Sequence, residues 1–224
     1  MTTVKLNVVL AESALELVPH AMWKSPPVAK DGARRGLEPS QILLDRSLHH
    51  SAMLRLADSH KRGRPDLVHV TLLDITGTPL YLDGKVKVFV QTYAGKVVEL
   101  EERTRIPKNY LRFRGLMEKA LSGDGGELIR VYHSTVAGLL RAIRPDIVVG
   151  LSVQGAPTTL PELGKRLAAR EFPCAVIGGF PHGHFEPETL KAVGELARID
   201  DRPLEAHVVA ARLLYEVEKS AAND

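Results

Sequence analysis

Two short, almost wholly apolar segments in the C-terminal half limit the fold most strongly. Asp146–Leu151 and Cys174–Ile177 contain hardly any polar residues, which is typical of strands buried on both faces of a parallel sheet. Helical patterns surround them, with Ser134–Ile143 before the first, Thr158–Arg170 between the two and Pro203–Lys219 near the end. Because strands that alternate with helices form parallel sheets covered by helices, the sequence predicts an α/β fold with a mostly parallel sheet.

The rest of the chain gives a mixture of strand, helix and loop patterns. Its clearest element is a β-hairpin, in which Lys85–Gln91 and Lys96–Glu102 flank a turn at Ala94-Gly95. The other predicted elements, in chain order, are strand Val4–Leu10, helix Glu12–Val18, loop Ala21–Ser40, helix Gln41–Ser59, strand Leu67–Leu73, helix Lys108–Leu121, strand Glu127–Tyr132 and a strand or helix end at Gly194–Ile199. Because no clean linker divides the chain, we expect residues 1–224 to form a single domain.

Composition excludes several classes of protein. With 224 residues, 44% of them hydrophobic and 25% charged, the chain is neither disordered, collagen-like nor a coiled coil. Cys174 is the only cysteine, which excludes an internal disulfide framework and fits a reducing compartment. No apolar run approaches the roughly 20 residues of a membrane span, and the first residues lack the pattern of a signal peptide. We therefore expect a cytoplasmic protein.

The histidines do not indicate a metal site. His182 and His184 form an H-x-H pair, but Cys, Asp and Glu do not follow at the spacing of metal ligands. The other histidines are scattered along the chain, and a zinc site needs three or four converging ligands. Ser134 and Ser152 also lack the context of a hydrolase nucleophile. The sequence therefore predicts no metal and no serine hydrolase.

Charge is distributed unevenly along the chain. Residues 1–114 hold 18 basic and 12 acidic residues, a net charge of +6, whereas residues 115–224 hold 12 basic and 15 acidic residues, a net charge of −3. The N-terminal half is therefore the better candidate for contact with an anionic partner.

A basic segment with interleaved aromatic residues lies at Arg103–Arg114. Five of its twelve residues are basic and none is acidic. If a helix begins after Pro107, Lys108 and Arg112 lie on one face, near Arg105. Clustered Arg and Lys at a helix start suit phosphate binding. The competing interpretation is a solvated helix face whose aromatic residues belong to the core.

Arg64 and Asp66 form a second candidate site, which we expect at the start of a strand. An Arg two residues before an Asp can hold the carboxylate ionised. Such an Asp could orient a substrate or accept a proton. An ordinary structural Arg–Asp turn explains the same pattern, and the pattern alone favours it.

Three loops follow strand-like segments in the C-terminal half: Leu151–Gly155, Gly178–Gly183 and Ile199–Leu204. Because ligands of open α/β sheets bind at the carboxyl ends of the strands, these loops could converge on one pocket. The glycines would let the backbone approach a ligand closely. The second loop is not a G-x-G-x-x-G motif, so a dinucleotide site is not supported.

Several blocks, in order along nearly the whole chain, resemble one known family. They are L-A-E-S-A-L-E-L-V-P (Leu10–Pro19), L-L-D-R-S-L-H-H-S-A-M (Leu43–Met53), R-P-D-L-V-H (Arg64–His69), R-I-P-K-N-Y-L-R-F-R-G-L-M (Arg105–Met117), I-G-G-F-P-H-G (Ile177–Gly183) and P-L-E-A-H (Pro203–His207). The chain resembles the small-subunit rRNA pseudouridine-N1-specific methyltransferases, a branch of the SPOUT class of S-adenosylmethionine-dependent RNA methyltransferases.

The resemblance implies a SPOUT-type trefoil-knotted α/β fold with a β-hairpin extension, a homodimer, and a role with other assembly proteins in small-subunit biogenesis. It places the RNA contacts on Arg64, Asp66, Arg105, Lys108 and Arg112, and Asp66 is the catalytic candidate. It places S-adenosylmethionine on Leu151, Gly178, Gly183, His184, Phe185, Ile199, Asp200, Asp201, Arg202, Pro203 and Leu204. These cofactor positions fall on or beside the three loops chosen above.

Two departures from the family pattern affect these expectations. The last loop reads I-D-D-R-P-L where many relatives read I-S-x-Y-P-L, so side-chain roles for Asp200 and Arg202 are in doubt. Lys108 stands where Arg is common, which keeps the charge but loses bidentate phosphate binding. Two other functions stay open: a non-catalytic rRNA-binding assembly factor, and a SPOUT methyltransferase that acts on tRNA. The Arg105–Met117 block argues against the latter, because it belongs to the rRNA branch.

Overall fold

The strands of this chain form one mixed, mostly parallel sheet. The structure is a computed structural model that describes residues 4–221. Its strands are β1 (Leu6–Ser13), β2 (Val86–Thr92), β3 (Lys96–Leu100), β4 (Ile129–His133), β5 (Ile147–Pro157), β6 (Pro173–Gly178) and β7 (Leu196–Arg198), in the sheet order β4-β3-β2-β1-β6-β5-β7. Strands β2, β1, β6, β5 and β7 pair in parallel, and β3 and β4 are antiparallel. The predicted α/β fold is confirmed.

Helices cover both faces of the sheet. They are α1 (Pro26–Arg35), α2 (Arg46–Met53), α3 (Pro65–Thr76), α4 (Pro79–Leu82), α5 (Tyr110–Leu121), α6 (Val136–Ile143), α7 (Leu160–Ala168), α8 (Pro187–Val193) and α9 (Ala206–Ala221), with 3₁₀ turns at His20–Met22, Pro39–Gln41 and Ser59–Lys61. No helix within residues 4–221 is long and apolar enough to cross a membrane.

Strand β1 shows how the sheet divides the core in two. Leu6, Val8 and Leu10 face the cluster that includes α3, α5, α7 and α9. Val9 and Ala11 face the cluster that includes α6 and α8. Because successive side chains of a strand point to opposite faces, the middle of β1, Val8–Ala11, is apolar on both sides at the centre of the sheet.

Several local predictions are confirmed. The hairpin forms with Val90 opposite Val98. The two apolar segments become β5 and β6, paired in parallel. Thr159 caps α7 in a capping box with Glu162, as a Ser/Thr–x–x–Glu pattern predicts. The segment Gly194–Ile199 contains a strand, β7, and not a helix end.

Three other predictions were wrong. Leu67–Leu73 lies within helix α3 and is not a strand, since packing against α9 and α5 overrides its strand-like composition. Glu12–Val18 is not a helix, because β1 continues to Ser13 and the chain then bridges from Leu17 to Leu43. The predicted loop Ala21–Ser40 contains α1.

The parallel arrangement brings the ends of four strands to one edge. Since β1, β6, β5 and β7 are parallel neighbours, their carboxyl ends meet there. The same edge receives the segment before α3, because Arg64 N–H donates to the Ala14 carbonyl, just beyond β1.

Candidate functional site

A cavity of about 470 Å³ opens at the carboxyl ends of β5, β6 and β7. Of the eleven residues predicted to bind cofactor, ten line it: Leu151, Gly178, Gly183, His184, Phe185, Ile199, Asp200, Arg202, Pro203 and Leu204. Asp201 lies outside the lining, with 88% of its side chain exposed, and pairs with Arg198. The structure therefore brings the predicted set together around one space, apart from Asp201.

The walls of the cavity are apolar over much of their area. Leu151 and Ile177 at the strand ends, and Val209 on α9, contribute aliphatic side chains. Phe180 and Phe185 meet edge to face, with 5.7 Å between ring centroids. A mostly apolar pocket of several hundred Å³ with a few polar groups is the usual form of a small-molecule site.

One of the predicted loops is not a loop. The segment Leu151–Gly155 continues β5, which runs on to Pro157 and shifts its register against β7 between Leu151 and Ala156. A bulge of this kind bends a strand and redirects its side chains. Leu151, Ser152 and Val153 reach the cavity from the bulged strand.

The loop Gly179–Glu186, between β6 and α8, forms a second wall; because the resemblance places cofactor residues on it, it is called the cofactor loop below. A Cβ on Gly179 would lie 2.1 Å from Ser13 Oγ, so packing against β1 demands this glycine. Gly183 has φ +101°, a conformation that favours glycine. The expectation that the glycines serve close approach to a ligand is therefore replaced, at Gly179, by a packing requirement.

Arg64 and Asp66 lie at the start of α3, not at the start of a strand. Arg64 Nε donates to Asp66 Oδ1 over 2.8 Å and Arg64 Nη2 donates to Oδ2 over 2.8 Å. Burial alone would raise the pKa of Asp66, but the Arg64 guanidinium holds that pKa below its ordinary value. Asp66 is thus an ionised carboxylate of low basicity, suited to orienting a hydrogen-bond donor rather than to accepting a proton.

This pair lies at the same end of the sheet as the cavity, because Arg64 N–H donates to the Ala14 carbonyl and Ala14 N–H donates to the Gly179 carbonyl, at the start of the loop that walls the cavity. The carboxylate of Glu205, which lines the cavity, is close enough to Arg64 to contribute, after Asp66, to the raised pKa of Arg64. The two candidate sites therefore lie at the same end of the sheet.

The basic segment lies at the start of α5. Arg105, Lys108 and Arg112 are exposed. The helix begins at Tyr110 rather than at Lys108, because Asn109 caps it by accepting a hydrogen bond from Arg112 N–H over 3.2 Å. Lys108 directly precedes the cap and Arg112 lies in the first turn, positions that suit phosphate binding at a helix start.

The aromatic residues of that segment anchor it to α3. The Phe113 ring stacks on His69 with 4.3 Å between centroids, and His69 Nε2 lies 2.7 Å from the Pro107 carbonyl oxygen. Tyr110 donates its hydroxyl to Asp45. Phe113 is buried and Tyr110 half-buried, as the interpretation of a solvated helix face with core aromatic residues expects, and phosphate binding by the exposed cations stays a prediction.

Comparisons with known proteins support one family. A family model described as EMG1/NEP1 methyltransferase matches residues 8–218. The chain belongs to the EMG1/NEP1 methyltransferase family. The ribosomal RNA small subunit methyltransferase Nep1 of Aeropyrum pernix is 38% identical over 221 residues, covering 96% of this chain and 97% of the relative. The Pyrobaculum neutrophilum protein of the same name is 40% identical over 219 residues, covering 95% and 97%.

A solved structure extends the comparison. The crystal structure of Archaeoglobus fulgidus Nep1 bound to S-adenosylhomocysteine matches with a TM-score of 0.84 at 34% identity, covering 96% of this chain and 98% of that chain. At this identity and coverage, the two chains share the EMG1/NEP1 fold.

The structure explains how this EMG1/NEP1 chain accommodates its unusual last loop. Arg202 N–H and Nε both donate to Asp200 Oδ1 over 3.0 Å, so the two replaced residues pair with each other. The Arg202 hydrogen bonds lower the pKa of Asp200 to about 2. The pair closes a local turn, which leaves the neighbouring backbone at the cavity.

Sequence reasoning missed nine residues that also line the cavity: Ser152, Val153, Ile177, Phe180, Pro181, His182, Glu205, Ala206 and Val209. Five of them lie within the predicted loops but were not assigned to the cofactor, and Ile177, Glu205 and Ala206 lie just beyond the ends of those loops. Val209 carried no local signal, because it reaches the cavity only through the packing of α9. Within the described residues, no three His, Cys, Asp or Glu side chains are placed to hold a metal ion.

Proposed function

We propose that this protein transfers a methyl group from S-adenosylmethionine to N1 of a pseudouridine in small-subunit rRNA. The observation that carries the proposal is the cavity at the strand ends, with the Arg64–Asp66 pair at the same end of the sheet. The names of the relatives support the rRNA substrate, and the ligand of the Archaeoglobus structure supports the cofactor.

The residues of the cavity suit the cofactor. Leu151, Ile177 and Leu204 offer apolar surface for an adenine ring, and the loop backbones offer polar groups beside it. S-adenosylmethionine, when bound, supplies a methyl group on a positively charged sulfur. The Glu205 carboxylate in the lining favours a cationic ligand, whereas the Asp200 carboxylate is paired with Arg202.

Asp66 and Arg64 would position the target base. Half of the Asp66 side chain is exposed, so lone pairs remain for a ring N–H of pseudouridine. Arg64 holds the carboxylate in one orientation. Pseudouridine, unlike uridine, carries an N–H at ring position 1, and holding that nitrogen in line with the methyl group can supply several kcal/mol of the barrier. As the N1–carbon bond forms and the carbon–sulfur bond breaks, S-adenosylhomocysteine would leave and the N1 proton would pass to solvent, which reaches the half-exposed Asp66.

The exposed cations at the start of α5 would bind the RNA backbone. Arg105, Lys108 and Arg112, together with Arg64, would contact phosphates on either side of a base splayed into the cavity. We also propose the trefoil knot, a single domain over residues 1–224, a homodimer, contact with other ribosome-assembly proteins and a cytoplasmic location.

Single-turnover methylation tests the proposal. Two oligonucleotides of the same loop sequence, one with pseudouridine and one with uridine at the target, are incubated with protein and S-adenosylmethionine and analysed by mass spectrometry. We expect one added methyl group on the pseudouridine substrate alone. Methylation of the uridine control, or of a tRNA in preference to the loop, would refute the assigned specificity. Binding without methylation would favour a non-catalytic assembly factor.

A further inference from the structure

Lys61 is a buried cation that touches the cofactor loop. Only 4% of the residue is exposed. Its Nζ donates to the His184 carbonyl oxygen over 2.5 Å and to Glu186 Oε1 over 2.6 Å. The same ammonium lies 4.8 Å from the centroid of the Phe180 ring. Lys61 therefore holds three parts of this loop at once, although it is not itself in the lining of the cavity.

The other partner of Lys61 is Glu12, near the end of β1. Glu12 Oε2 accepts from Lys61 Nζ over 3.1 Å, and Glu12 Oε1 accepts from Glu186 N–H over 2.8 Å. Glu12 has φ +51°, which is sterically unfavourable for a residue with a side chain. A strained residue that also carries a buried charge is retained only where the surroundings require its geometry.

Stability alone is a poor reason for this cluster. Burial alone would lower the pKa of Lys61, but its bonds to Glu186 and Glu12 hold that pKa above the ordinary value, so the buried group is charged. The desolvation of a buried ion pair commonly offsets the attraction between its charges. What the cluster does provide is a fixed distance between β1 and the cofactor loop.

Lys61 also belongs to the segment that leads to the candidate RNA site. Arg62 follows and pairs with Glu16 through two bonds of 2.7 Å, and Arg64, three residues on, pairs with Asp66. A movement of the cofactor loop would therefore be transmitted to the start of α3 through a short, anchored stretch of chain.

We propose that Lys61 is a positioning residue that holds the cofactor loop in its binding shape and fixes that loop to the segment carrying Arg64. The proposal rests on the proposed function, because it takes the cavity as the cofactor site. It assigns Lys61 no contact with the cofactor and no proton transfer.

The test compares Lys61→Met with a matched control, Arg62→Met. Arg62 is the next residue, is also buried and is paired with a buried Glu, but its hydrogen bonds go to Glu16 and Ala57 and not to the cofactor loop. We expect Lys61→Met to weaken S-adenosylhomocysteine binding, measured by calorimetry, by ~10-fold or more, since only part of the population keeps the loop in its binding shape. Arg62→Met should lower Tm and leave that affinity within about twofold.

A kinetic readout separates positioning from a general loss of structure. In Lys61→Met the KM for S-adenosylmethionine should rise, and the single-turnover rate at saturating cofactor should stay near the wild-type rate. Equal losses of affinity in the two variants, or an unchanged affinity in Lys61→Met, would overturn the proposal and leave the proposed function standing.

Two further variants cover a failure to fold. Glu12→Gln with Lys61→Met, and Glu16→Gln with Arg62→Met, each remove both charges of a pair and so avoid an unpaired buried carboxylate. The same difference in affinity is expected between these two double variants, and its absence would overturn the proposal. A wild-type chain that does not bind S-adenosylhomocysteine would overturn the proposed function and this inference with it.

Discussion

Replacing Asp66 by Asn removes one negative charge and leaves a side chain of nearly the same shape. The change tests whether the Arg64–Asp66 pair orients a base or merely closes a turn. Because 38% of the Arg64 side chain and 50% of the Asp66 side chain are exposed, solvent screens the pair, and its contribution is about 1 kcal/mol. Loss of an acidic residue from the first turn of α3 adds ~0.5 kcal/mol through the helix dipole.

These contributions set the expected stability. A loss of about 1.5 kcal/mol corresponds to a fall in Tm of roughly 3–6 °C for a chain of this size, which calorimetry can measure. The variant should therefore remain folded at 25 °C and bind S-adenosylhomocysteine normally. Its single-turnover methylation rate should fall by ~10- to 100-fold, because an uncharged amide neither fixes Arg64 nor accepts as strong a hydrogen bond from the base.

The pH dependence separates an orienting carboxylate from a general base. The folded pKa of Asp66 is lowered, so the stability from the pair is present above the unfolded pKa of ~3.9 and is lost as pH falls through the lower, folded value. Asp66 therefore does not change protonation between about pH 5 and 8. A wild-type rate that rises through that range, and no longer does so in Asp66→Asn, would refute the orienting role. A near-normal rate in a folded variant would remove Asp66 from the reaction.

Two further predictions concern RNA binding and packing. Charge reversal in Arg105→Glu with Arg112→Glu should weaken RNA binding by at least ~10-fold and reduce the slope of log affinity against log salt concentration by about 1–2. The control, Arg141→Glu with Lys191→Glu on the other face of the sheet, should change neither quantity. Equal effects of the two double variants in filter binding would contradict the assigned surface. Gly179→Ala should lower Tm by ~5 °C, because its Cβ would lie 2.1 Å from Ser13 Oγ. Gly115→Ala serves as the control, because this glycine lies within α5 with open space around it, and the change should leave Tm unchanged or raise it. An unchanged Tm in Gly179→Ala would refute the packing argument.

The parallel half of the sheet could be predicted because its information is local. The residues that become β5 and β6 are apolar in short, bounded runs, and caps such as Thr159 lie next to the helices they start. The cavity followed from the same pattern, because strand ends of a parallel sheet meet at one edge whatever the details of packing.

Helix α3 could not be predicted, because its composition contradicts its structure. Leu67, Val68, Leu72 and Ile75 are all buried, so the helix lacks the polar face that would reveal its period. A short apolar run rich in β-branched residues fits a strand equally well. The segment is a helix because it packs against α9, and no local sequence pattern contains that long-range contact.

Helix α1 was missed although its ends carried a signal. Pro26 and Pro27 open it and Gly36 closes it in the left-handed conformation, the common arrangement of proline at a helix start and glycine beyond its end. Its apolar face is small, since Val28 is the buried aliphatic residue within it. Arg35 links the helix to α5, because it pairs with Glu118 of α5 as well as with Asp31 within α1.

Those ion pairs change what the charge excess of the N-terminal half means. Arg35, Lys61 and Arg62 belong to the basic half, yet each is paired with a buried carboxylate and contributes little to the potential outside the protein. By contrast, the side chains of Arg105, Lys108 and Arg112 are exposed to solvent. The count of 18 basic residues in that half therefore exceeds the number of cations available to RNA, and the exposed group at the start of α5 is what a polyanion would meet. The buried cations fix the geometry of the strand ends on which the cavity depends.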